Sequence, residues 1–171
     1  MFESRTSERQ LLVEMLEREF SHAVRMLKSF PAEHLDDRPL DCARSAREMA
    51  WAFVVRERLI HYLLSGRAVG IDADPPRLLH DLIDAYEEAH RETRTHLTRL
   101  TTQQWIEPLR GPVGPGLWEQ GRRGELLWMT WKELVHHGAH FAVHVHQARQ
   151  GDAAELARYL RRMPALQPAG V

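Results

Sequence analysis

Apolar residues recur at helical spacing along most of the chain, and no stretch alternates in the manner of a strand. Between positions 7 and 30, Leu12, Leu16, Phe20, Ala23 and Leu27 fall on one face, with Ser7 as cap and Pro31 as stop. The following PAEHLDDRPLDCAR reads as a linker, because Pro39 resists helix continuation. Ser45 with Glu48 makes a capping box for a second helix reaching Ser65, where Gly66 can end it. That helix carries Met49, Ala52, Phe53, Leu59, Ile60 and Leu63. A third helix over 77–100 has Leu79, Ile83, Tyr86, His90, Thr93 and Leu97 on its inner face. It is the most polar helix and should cover the outside of the bundle. LRGPVGPGLWEQGRRG, rich in Gly and Pro, reads as one long loop of the kind that often closes over a site. The fourth helix, 124–150, is apolar over most of its circumference and should be the central, most buried one. Gly151 ends it, and DAAELARYLRR predicts a short amphipathic fifth helix before a disordered PALQPAGV tail. The expected fold is all-α. A single domain, 1–171, forms an antiparallel four-helix bundle with a short C-terminal extra helix.

Composition narrows the partners. A chain of 171 residues can bury a sizeable core as one domain. Its 23 basic and 24 acidic side chains leave a formal charge of −1, which argues against nucleic acid and anionic membrane as partners. No apolar run approaches the roughly 18–20 residues that span a bilayer. The start, MFESRTSERQ, lacks a basic-then-apolar signal pattern, so a cytoplasmic protein is expected. The lone cysteine, Cys42, excludes an internal disulfide and a multi-cysteine zinc site, and reads as a passive thiol.

Candidate chemistry concentrates in the fourth helix. Five of the eleven histidines fall in WKELVHHGAHFAVHVHQARQ, and imidazole is both the commonest transition-metal ligand and a proton carrier near neutral pH. At about 100° per residue, Glu133, His137, His140 and His144 lie within about 60° of one another. Leu127, Leu134, Phe141 and Val145 form the adjoining apolar stripe. His137 reads as a pocket residue or a core-edge histidine bonded to a neighbour; Glu133 reads as a pocket residue or an ordinary ion-pair partner. His136 and His146 point away from this stripe, toward the surface. His61 lies on a different face of the second helix from Ala52 and reads as structural or as part of an oligomer surface. His22, His34, His80, His90 and His96 have no partner at informative spacing and are expected in solvent. The tryptophans read as core or cleft anchors, with Trp118 in the long loop as the ligand contact. No Ser-His-Asp set is visible, and GPVGPG lacks the Lys and following helix of a phosphate-binding loop.

Taken in order, LEREF, FPAEHLDDRP, SAREMAWAFVVRE, AYEEAH and ELLWMTWKELVHH resemble the DinB/YfiT-like superfamily of four-helix bundles over nearly the whole chain. The resemblance implies a metal held by three histidines: one seven residues after the Ser that opens the second helix, and a His-x-x-x-His pair on the fourth. Here those positions read Ala52, Glu133 and His137, and the family's following Arg-Gly-Gln reads Gly138, Ala139 and His140. Glu133 and His137, with His140 as third ligand, would be the set for a divalent ion such as Zn or Ni. Alternatively Arg56, one turn beyond Ala52 with Glu48 one turn before it, pairs with Glu133 and takes the place of the metal in a rebuilt polar pocket.

Two functions follow from the resemblance. One is a metal-dependent transferase or isomerase using a low-molecular-weight thiol such as bacillithiol, mycothiol or glutathione. The other is a metal-independent, stress-related protein that binds a small molecule, with Ala52 and Phe141 greasing the pocket and Glu133 and His137 supplying specificity. Trp128, Val135 and Val143 are apolar residues outside the main seam, so a homodimer is expected. Light scattering would read it as twice the 19.9 kDa chain mass.

Overall fold

A computed structural model describes residues 7–39, 43–67 and 73–150. The elements are α1 (Glu8–Lys28), a 3-10 turn (Ala32–His34), α2 (Ala46–Ser65), α3 (Leu79–Leu97), α4 (Thr102–Ile106), β1 (Pro108–Gly114), β2 (Leu117–Arg122) and α5 (Arg123–Gln150). Local chemistry sets the helix ends. The Ser7 hydroxyl accepts from the Gln10 amide to open α1. At α2 the capping box is reciprocal: the Glu48 amide donates to Ser45 Oγ at 3.2 Å, and the Ser45 amide to Glu48 Oε2 at 2.7 Å. Gly66 ends α2 with φ of 73°, a left-handed conformation that suits a residue without Cβ.

Four long helices form the bundle, and their contacts fix its direction. Helix α2 runs antiparallel to α5, since Arg123 reaches the Leu63 carbonyl while Phe53 packs on Phe141 further along. Helices α2 and α3 run the same way, with His90 on Glu57 and His96 on His61. So do α1 and α5, joined by Trp128 to Glu8 at one end and Arg149 to the Ser29 carbonyl at the other. The order is therefore up-down-down-up. The core is aromatic at its centre: Phe53 lies 5.5 Å from Tyr86 and 5.7 Å from Phe141, and Phe20 lies 5.1 Å from Tyr86, between ring centroids. Burying each such ring stabilises the fold by about 1.5–3 kcal/mol.

The central helix is α2, not the last helix as the apolar pattern suggested. Fourteen of the twenty α2 residues are buried, including Arg56 and Glu57, which meet different neighbours. Helix α5 keeps a solvent face through Glu125, Met129, Lys132, His136 and Ala139.

The expected long loop is also corrected. Residues 108–122 form an antiparallel hairpin that pairs Pro108 with Arg122 through Pro112 with Trp118, with an irregularity before Gly114. Its prolines are tolerated because a two-stranded sheet has only edge strands. Its glycines have two separate roles. Gly116 takes φ of 71° in the turn. Gly111 lets β1 press onto α2, since a Cβ there would sit 2.4 Å from a Leu63 methyl. Among the described residues no helix is long and apolar enough to cross a membrane. The expected fifth helix, the tail and Cys42 lie outside the described residues.

Candidate functional site

A cavity of about 820 Å³ lies between α2 and α5. From α2 come Glu48, Met49, Trp51, Ala52, Val55 and Arg56; from α5 come Glu133, His136, His137, His140, Val143 and His144. Pro39, Ala43 and Arg44 ahead of α2, Pro75 ahead of α3 and Pro115 at the hairpin tip complete the wall. The one-turn spacing of Glu48, Ala52 and Arg56 puts all three on the cavity side, opposite Glu133 and His137.

Arg56 is the central charge. Its guanidinium is buried, at 6% exposure. Nη1 donates to the Val113 carbonyl at 2.6 Å, and Nη2 lies 3.7 Å from Glu133 Oε2. The hairpin therefore holds the arginine in place, while Glu133, with 44% of its side chain exposed, stands as a loose counter-charge. Burial disfavours the charged guanidinium and lowers its pKa, with Glu133 acting in the opposite direction. Glu48 is already engaged: it closes the α2 cap and accepts from Arg38 at 3.0 Å. Those contacts, the Ser45 amide first, lower its pKa despite burial.

His137 and His144 are held neutral. Burial, then the charges of Arg56 and Arg44, lowers His137 to about 4. Burial and His140 lower His144 to about 4. His137 Nδ1 is buried without a hydrogen-bond partner among the described residues. His136 and His140 form an exposed pair at the rim, with ring centroids 4.4 Å apart.

The residues present do not fit the implied metal. Ala52 has no donor atom. Among the described residues no three His, Cys, Asp or Glu side chains come together as a ligand set. Glu133, His137 and His140 therefore do not assemble as the sequence suggested. Glu133 faces Arg56, and His140 turns to His136 at the rim. A buried guanidinium beside the site further disfavours a cation.

Several sequence expectations change here. Trp118 is not in the cavity wall. It is 46% exposed on β2 and packs edge-on against Tyr62 at 5.6 Å. His136 is exposed, as expected, but also borders the cavity, and Val143 lines it instead of lying on a free face. His61 is buried against His96, as its position on α2 suggested.

His90 is not in solvent. It is buried on the far side of α2, with Nδ1 2.9 Å from Glu57 Oε1 and Nε2 3.6 Å from Glu17 Oε2, and its ring stacks on Phe20 at 3.7 Å. Burial alone would lower its pKa, but Glu57 and Glu17 raise it overall. Arg44 and the Glu57–His90 pair are polar groups the sequence reading missed. The signal for Glu57 was an acid beside Arg56 inside an otherwise apolar run.

No family profile matches the chain, and no curated protein matches it in sequence. Solved structures share its fold. A DinB-like protein from Bacillus subtilis superposes with a TM-score of 0.65 at 16% identity, covering 80% of this chain and 90% of that one. A mutant of mycothiol-dependent maleylpyruvate isomerase superposes at 0.55 and 16% identity, covering 77% of this chain and 59% of that one. The fold is thus that of a DinB-like helical bundle.

Proposed function

We propose that this protein binds a small molecule in the α2–α5 cavity without a metal ion. The observation that supports it is the Arg56–Glu133 pair spanning the cavity beside Ala52, where a metal-dependent site would need a donor atom. A cavity of about 820 Å³ suits a drug-sized ligand, because such pockets are commonly about 300–1,000 Å³ with apolar walls and few polar groups. Met49, Trp51, Val55 and Val143 would take the apolar body of the ligand. His137 is neutral at physiological pH and can donate or accept one hydrogen bond, so its unpartnered Nδ1 would help orient the ligand.

A second reading is a metal-dependent transferase or isomerase for a low-molecular-weight thiol. The mycothiol-dependent isomerase among the structures of like fold favours it.

Metal analysis and thermal shift on protein purified without an affinity tag separate the two. The first reading expects no stoichiometric zinc or nickel and no rise in Tm on adding either ion, with or without mycothiol, bacillithiol or glutathione. A ligand that binds only the folded state must raise Tm. Stoichiometric metal, or a metal-dependent rise that Glu133→Gln removes, would overturn the metal-free reading.

A further inference from the structure

We propose that the cavity receives an apolar molecule bearing a single carboxylate, with Arg56 as the anchoring cation and Glu133 as an internal carboxylate that the ligand displaces. This rests on the small-molecule reading above and names the ligand's chemical class.

The argument starts from the guanidinium. Arginine carries five N–H donors in a planar fork that matches a carboxylate. Arg56 presents that fork at 6% exposure, yet its one hydrogen bond among the described residues is to the Val113 carbonyl. Glu133 at 3.7 Å lies beyond normal hydrogen-bond distance. A buried cation is stabilised fully only by an anion at bonding distance, so the pair as it stands is incomplete.

Glu133 is also free to leave. Nearly half of its side chain is in solvent, where it can rehydrate, and no other hydrogen bond holds it among the described residues. Arg56 cannot follow it, because Val113 and the hairpin backbone pin the guanidinium. A Cβ at Gly114 would already touch Nη1 at 3.5 Å. A fixed cation with a loose counter-ion is a preorganised anion receptor.

The remaining groups set the charge and character of the ligand. Glu48, the other acid in the wall, is committed to the α2 cap and Arg38 and does not compete for Arg56. A cationic ligand would face Arg56 with Arg44 close by. Arg44, the other cation in the wall, is exposed to solvent, so a dianion's second charge buried beside Arg56 would lie among Met49, Trp51, Ala52 and Val55. One carboxylate on an apolar body satisfies both limits. His137 Nδ1, buried without a partner, offers a second polar contact.

Titration calorimetry on the full chain at pH 7.5 tests this with phenylbutyrate, phenylbutyramide and phenylbutylamine. These probes share one apolar body and differ only in head group. The acid should bind at least about tenfold more tightly than the amide, as expected for a charge-assisted bidentate pair, and the amine should not bind. Glu133→Gln removes the internal competitor, so it should tighten the acid severalfold and leave the amide unchanged. Arg56→Lys keeps the charge without the fork and should lose part of the preference. Arg56→Gln should abolish the difference between acid and amide.

Glu133→Gln is the decisive variant, because it alters a half-exposed side chain and circular dichroism can confirm its fold. A contact residue lost to mutation would weaken the acid instead. If Glu133→Gln weakens the acid, or the amide matches the acid on the wild type, the carboxylate inference fails while the small-molecule reading stands. If no probe binds either the wild type or Glu133→Gln, both fail.

Discussion

Acidification should unfold this protein through two pocket histidines. His137 and His144 are each lowered to about 4 from an ordinary value of 6.5, chiefly by burial between α2 and α5. The unfolded chain takes up a proton on each near pH 6.5, whereas the folded chain resists until about 4. Each group's stabilisation is therefore fully present above 6.5 and lost as pH falls through the folded value. The loss is about 1 kcal/mol per histidine at pH 5.5 and roughly 2–3 kcal/mol at pH 4.5, or about 5 kcal/mol for the pair. That is a large share of the 5–15 kcal/mol typical of a domain. Urea unfolding at pH 7.5, 5.5 and 4.5, followed by tryptophan fluorescence, measures it directly. His144→Gln should remove about half of the slope between pH 7.5 and 4.5, and adding His137→Gln should remove most of the rest. An unchanged slope in the double variant, or NMR titration of either ring near 6.5, would refute the reasoning.

On the other side of α2, His90 carries the opposite sign. Burial lowers its pKa, but Glu57 and Glu17 more than offset this and leave it raised. Its contribution is therefore present below 6.5 and lost as pH rises through the folded value. Glu57→Gln should destabilise the protein by roughly 1–3 kcal/mol at pH 6. It should also remove the alkaline decline, which urea melts from pH 6 to 8.5 would show. At the start of α5, a Cβ on Gly124 would lie 2.3 Å from the Trp105 ring. Gly124→Ala should cost about 1–3 kcal/mol despite its better helix propensity, read as a lower urea midpoint with an unchanged slope.

The long helices were legible because their signals are local. Ser7, the Ser45–Glu48 capping box and Gly66 each fix an end by a contact spanning only a few residues. The register of the cavity was legible for a related reason. Helical spacing alone puts Ala52 and Arg56 on one face and Glu133 and His137 on another, and the pairing of Arg56 with Glu133 follows once the faces meet. The hairpin was hidden by composition. Gly111, Pro112 and Pro115 read as breakers, and only contact with α2 shows that Gly111 is there for closeness to Leu63. Burial rank was hidden for a similar reason. Apolar residues over most of its circumference made the last helix look central, but only the packed bundle shows that α2 lies against α3, α5 and the hairpin. His90 was illegible because its partner Glu57 is 33 positions away.

Adjacent residues Arg56 and Glu57 show how one helix can serve two purposes. Both are buried in α2, yet about 100° of rotation sends them to opposite neighbours. Glu57 meets an imidazole at 2.9 Å inside a closed aromatic cluster. That contact is at hydrogen-bond distance, although Glu57 Oε2 and His90 Nε2 are buried without a partner among the described residues. Arg56 meets a carboxylate at 3.7 Å across a cavity, with that carboxylate half in water. The same helix thus carries one buried charge held at hydrogen-bond distance by its partner and one left short of it. Stability alone would favour closing the second gap, since an incompletely paired buried cation costs free energy. A cation that the hairpin holds rigid while its partner stays loose makes sense if another anion is meant to complete it.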